Sequence, residues 1–79
     1  MICSLSELKV NQRGKIISIN ISDRAIKRHL LDMGFIKGTE VKVKRIAPTG
    51  DPVNIEIRNY EISIGRKVLR KISVEVLEK

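Results

Sequence analysis

His29, Asp32 and Met33 stand at i, i+3 and i+4, the spacing that brings side chains together on one helix surface. An imidazole, a carboxylate and a thioether in that arrangement raise the prospect of a metal site. A divalent site, however, normally needs three or four protein ligands of matching character. His29 is the only histidine and Cys3 the only cysteine, and Met33 shares an apolar stripe with Leu30. No metal site and no cofactor is expected; His29 reads as a surface residue near a helix end.

Other reactive constellations are missing too. A phosphate-binding loop ends in Lys-Ser/Thr after its glycines, whereas residues 34–39 read GFIKGT. A catalytic Ser, Thr or Cys needs a base beside it, and the single histidine sits on a helix. Glu75 and Glu78 look like solubilising charge. No catalytic activity is expected.

The elements around His29 explain the stretch HLLDMGFIKG differently. Ser22 is a good N-cap and Asp23 suits the first turn of a helix. Ile26, Leu30 and Met33 fall at i, i+4 and i+7 with Leu31 beside them, and Arg24, Lys27 and Arg28 lie toward the other side. Gly34 stands where a helix closes through a left-handed residue, and Phe35 supplies the apolar contact that follows. A helix from about Asp23 to Met33 results, with Gly38 as a second turn glycine.

The remaining chain is strand-forming. Ser4 and Ser6 precede one helical or 3-10 turn at Ser6-Glu7-Leu8, and Asn11–Gly14 reads as a turn. In IISINI, residues 16–21, Ile17, Ile19 and Ile21 share a face. Val41 and Val43 alternate with Lys42 and Lys44, and the phase then slips to Ile46, which predicts a bulge or strong bend near Lys44 to Ile46. Pro48–Pro52 is loop chemistry. Val53, Ile55 and Ile57 alternate, Asn59 suits a left-handed turn, and Tyr60, Ile62 and Ile64 alternate again up to Gly65. Residues 66–71 form a short basic turn before a last strand with Ile72, Val74 and Val76.

The expected fold is mainly β with one inserted helix: a small SH3-like, partly open barrel of about five strands, which leaves few free sheet edges. An OB-like barrel is the alternative. Residues 1–79 are read as one domain. A single cysteine fits a reducing compartment, and no apolar run approaches the roughly 18 residues a membrane helix needs.

Net charge is +7, from 16 Lys and Arg against 9 Asp and Glu. Such a field attracts nucleic acid, anionic headgroups or an acidic protein surface. Phe35 and Tyr60 are the only aromatics, so the stacking platform of single-strand readers and the aromatic groove of polyproline readers are nearly missing.

Leu30-Leu31-Asp32-Met33-Gly34-Phe35, then Lys37-Gly38 and Val41, resemble the signature of the FeoA family, the ferrous iron transport protein A domain. Pro48-Thr-Gly-Asp51-Pro52-Val53 is similar to that family's P-x-GDP loop. Leu5, Leu8, Gly14 and Ile16 match its start and Ile72 and Val74 its close, so the resemblance runs along nearly the whole chain. Arg28-His29, Lys37 and Asn59 depart from the family pattern. So does Ile64–Leu69, only loosely similar to a Leu-Arg-x-x-Glu-Ala stretch.

The resemblance implies an SH3-like barrel in a freestanding cytosolic accessory protein of bacterial ferrous iron uptake, at the inner face of the membrane. Its partner would be FeoB, a membrane permease with a cytosolic GTP-binding domain. A related domain ends iron-dependent transcriptional regulators, and a small basic nucleic-acid-binding barrel is the competing class. For docking, the candidate residues are Arg24, Lys27 and Arg28 as steering cations. Phe35 and Ile36 are candidate anchors, and Asp51 and Pro52 would form a partner-facing loop. Phe35 packing into the barrel and a plain hairpin connection at Asp51-Pro52 are the structural alternatives.

Overall fold

Alternating branched aliphatic and polar residues lay down most of the chain as strand, because such side chains pack well on a pleated surface with one buried face. The computed structural model describes residues 1–77; Glu78 lies outside the described residues. In chain order the elements are β1 (Ile2–Ser4), a 3-10 turn (Leu5–Glu7), β2 (Arg13–Ile19), α1 (Arg24–Asp32), β3 (Glu40–Ile46), β4 (Val53–Ile57), β5 (Tyr60–Ile64), α2 (Arg66–Leu69) and β6 (Ile72–Leu77).

The strands form one antiparallel sheet of six, ordered β1-β6-β2-β3-β4-β5. It does not close: β1 and β5 remain as edges. About five strands were expected from the patterning; the sixth is Ile2–Ser4, which pairs with Ser73–Glu75. Three residues are too few for an alternation to show, so only the partner strand reveals this one.

Two bulges bend the sheet. The pairing of β3 with β4 shifts between Val43 and Arg45, where the apolar phase slips in the sequence. A second shift falls between Ile16 and Ser18, and it corrects the reading at Ile17, while Ile19 and Ile21 pack inward as expected. The strand starts earlier, at Arg13, and its core face opens with Gly14 and Ile16, both buried. Gly14 has a packing role, not a turn role: a Cβ there would lie 3.0 Å from the Val74 side chain.

The helix is one residue shorter at each end than expected. Asp23, not Ser22, is its cap, and its Oδ1 accepts from the amides of Ala25 at 2.9 Å and Ile26 at 3.3 Å. At the other end the Phe35 amide donates to the Leu30 carbonyl and the Gly34 amide to that of Leu31, both at 3.0 Å. With Gly34 at φ 101°, this is the paired Schellman closure that glycine permits. It drives Phe35 into the core, where its exposure is 0%.

The two-residue turn between β4 and β5 also differs: Arg58, not Asn59, takes the left-handed conformation, at φ 57°. Residues 66–71, read as a turn, contain the short helix α2. Around these elements Leu5, Ile16, Val43, Ile55, Leu69 and Ile72 form the centre of the core, and no polar side chain is buried among the described residues.

Candidate functional site

One nine-residue helix presents two unlike faces. Ala25, Ile26, His29, Leu30 and Met33 turn toward Ile64 and Val68 and line a groove of about 410 Å³ between α1, the end of β5 and α2. Of the helix residues only Leu30 is buried; Ile26 keeps 40% of its surface exposed. Arg24, Lys27, Arg28 and Leu31, at i, i+3, i+4 and i+7, occupy the opposite side, and all four are exposed. Leu31 therefore leaves the apolar stripe and stands among three cations.

Groove and sheet edge run together. Strand β5 has a neighbour on one side only, and the main-chain groups of Glu61 and Ser63 alternate away from β4, given the Ile57–Tyr60 and Ile55–Ile62 pairs. A second, polar groove of about 950 Å³ lies across β2, β3 and β4 and includes Arg13, Glu40, Lys42, Glu56 and Arg58. Its charges are of both signs, and Arg13 is already paired with Glu40 at 2.9 Å.

The loop before β4 is held by α2. Asp51 Oδ1 accepts from the Arg66 amide at 2.8 Å, while the Arg66 guanidinium donates to the Gly50 carbonyl at 2.8 Å and the Ser6 carbonyl at 2.6 Å. Arg66 thus fastens the loop, α2 and the 3-10 turn to one another. Nothing in the sequence pairs residues so far apart, and Asp51 has a structural duty, accepting from the first amide of α2 while Gly65 is its N-cap residue.

The expected site residues are therefore dispersed. Arg24, Lys27 and Arg28 share one exposed face, Ile36 is exposed nearby, and Asp51 and Pro52 lie in a different, exposed loop. Phe35 is withdrawn into the core and offers no surface to a partner. Leu30 is buried, Met33 half-buried, and Gly34 and Gly38 both have positive φ. Ile64, Val68 and Arg66 were not anticipated; the spacing Ile64-x-x-x-Val68-Leu69 after a strand was the available signal. Among the described residues no three His, Cys, Asp or Glu side chains group to hold a metal ion. No described helix is long and apolar enough to cross a membrane.

At Cys3, burial first and the Glu7 charge second push the thiol up from its ordinary range, against a smaller pull from the N-terminal ammonium.

A small antiparallel sheet, strongly bulged, unclosed, with a helix inserted between its second and third strands, defines an SH3-like β domain. The FeoA domain family model matches residues 3–76, and the chain belongs to that family. It is 33% identical over 73 residues to the Fe(2+) transport protein A/Fe(2+) transporter FeoB fusion protein of Porphyromonas gingivalis, covering 92% of this chain and 8% of the fusion. The chain thus spans a small part of that relative. The solution structure of FeoA from Chlorobium tepidum is similar at TM-score 0.89 and 33% identity, over 95% of this chain and 70% of that one. The zinc complex of Stenotrophomonas maltophilia FeoA, a prokaryotic SH3 domain protein, matches at TM-score 0.80 and 25% identity, over 91% of this chain and 88% of that one.

Proposed function

We propose that this chain is a non-enzymatic accessory domain of ferrous iron uptake, which docks onto the cytosolic part of a FeoB-type permease and regulates or assembles it. The fusion in Porphyromonas gingivalis carries this reading. Tethering two modules holds each near the other at roughly millimolar effective concentration, which keeps even a weak contact engaged. A domain found both joined to and separate from a transporter is suited to that kind of contact.

The contact surface we assign is the groove lined by Ile26, Leu30, Met33, Ile64 and Val68. Its apolar floor takes an anchor side chain, and the Glu61 and Ser63 main chain is open to an added strand. Arg24, Lys27 and Arg28 act through their field, raising the rate of encounter with an acidic partner. Ile36 and the Asp51-Pro52 loop lie outside the groove and carry no anchoring role here.

Titration of the full chain with the isolated cytosolic domain of an iron permease, in solution and without lipid, tests the proposal. Ile26→Glu is expected to weaken binding by about tenfold or more, in a variant shown to stay folded by circular dichroism. Val10→Glu, on another exposed residue, is expected to have no effect. No binding at any concentration reached, or equal loss in both variants, would overturn the docking assignment. Tight, steeply salt-dependent retention on RNA or DNA would favour the nucleic-acid class instead.

A further inference from the structure

Three large apolar side chains are left exposed around the C-terminal end of α1: Leu31 at 43%, Ile36 at 45% and Tyr60 at 43%. The hairpin tip is fixed to this end by the hydrogen bond from the Tyr60 hydroxyl to the Met33 carbonyl. Arg58 arrives with it: its Nε lies 2.9 Å from where a Cβ on Gly34 would stand. Lys27 and Arg28 are one turn back from Leu31, Arg24 two turns back, and Lys37 follows Ile36. Against these five cations stand Asp32, Asp23 at the start of α1 and Glu61 beside Tyr60. None of the five is in an ion pair among the described residues.

We propose that this end of the molecule rests on an anionic phospholipid surface, with the cations among the headgroup phosphates and Leu31, Ile36 and Tyr60 at the acyl boundary. Aliphatic and tyrosyl side chains set among Lys and Arg are the composition of interfacial membrane contacts, since the charges gain from anionic lipid and the apolar groups from partial burial. Neither groove is lined by Leu31, Ile36 or Tyr60. Exposed apolar side chains that line no groove suit a deformable surface better than a shaped protein epitope. One tyrosine, its hydroxyl already bonded, is a poor stacking platform for nucleic acid. The groove lies on the opposite face of α1 from Arg24, Lys27, Arg28 and Leu31.

Co-sedimentation of the full chain with vesicles tests this, using phosphatidylcholine alone and phosphatidylcholine mixed with phosphatidylglycerol. Partition onto the mixed vesicles only is expected. Each cation near such a surface accounts for about fivefold in partition. The triple variant Arg24→Gln, Lys27→Gln, Arg28→Gln should therefore bind about a hundredfold more weakly. Leu31→Ser with Ile36→Ser should weaken binding several-fold at unchanged melting temperature. Lys9→Gln, Lys15→Gln, Lys71→Gln removes the same charge from exposed sites elsewhere and should change little. The proposal is overturned by no partition onto mixed vesicles, by equal loss in both triple variants, or by indifference to the Leu31 and Ile36 changes. Retention on RNA in preference to the mixed vesicles also overturns it. The vesicles contain no permease, so this outcome and that of the docking experiment are independent.

Discussion

The Tyr60 hydroxyl donates to the Met33 carbonyl oxygen, 27 residues away in the chain. Met33 is the last residue of the helix closure, where carbonyls lack intrahelical partners. One phenol therefore ties the β4–β5 hairpin to the end of α1. Tyr60→Phe keeps the ring and removes only this bond. A loss of about 1 kcal/mol is expected, which for a domain of this size lowers Tm by about 4–8 °C. Thermal unfolding followed by circular dichroism measures it.

Arg66 bridges three segments, and a lysine cannot reach both the Gly50 and Ser6 carbonyls from one nitrogen with the same geometry. Arg66→Lys should lose about 2 kcal/mol, because two charge-assisted hydrogen bonds at a half-buried site are weakened together. The urea midpoint should fall with an unchanged slope, showing lost stability rather than a changed unfolded state.

Gly34→Ala forces a Cβ into a left-handed residue and against Arg58. A destabilisation of about 1–2 kcal/mol is expected, from backbone strain and displacement of that side chain. Amide exchange should quicken first at Gly34 and Phe35, whose amides make the closing bonds of α1; uniform quickening across the sheet would point to a different cause.

Phe35 and Ile36 are neighbours with opposite fates. Phe35→Ala empties a fully enclosed site and should cost about 3–5 kcal/mol, a large share of the roughly 4–12 kcal/mol available to a chain this size. Ile36→Ala, on an exposed residue, should stay within about 0.5 kcal/mol. Chemical denaturation of both variants separates a packing residue from a surface one.

A raised thiol pKa means less thiolate at neutral pH, and thiolate is the reacting form. Cys3 should therefore alkylate more slowly than an unperturbed cysteine at pH 7–8, with the gap closing as pH rises through the elevated value. Iodoacetamide labelling followed by mass spectrometry across that range reads it out. A rate equal to that of the unfolded chain at every pH would contradict the burial-driven shift.

The long periodic runs were legible in the sequence, because alternation needs only local sterics and one buried face. Val53, Ile55 and Ile57 fall buried as read, the slip after Val43 is a bulge, and Gly34-Phe35 closes the helix. Signals shorter than one period were not legible: β1 spans three residues, and α2 is a single turn. Within residues 16–21 only Ile17 was misassigned: Ile16 takes the core face before the bulge, Ile19 and Ile21 pack inward after it as read, and nothing local announces the bulge.

Sequence alone determined that this chain folds as a bulged β domain with a helix inserted between its strands. Only the tertiary structure decided what surrounds each exposed residue. Pairing across the sheet made Arg66 and Asp51 a structural bracket, drew Phe35 out of reach, and gave α1 an apolar groove on one side and a cationic face on the other. Such outcomes depend on contacts between distant segments, and hydrophobic burial, being non-directional, fixes them only when the whole core closes.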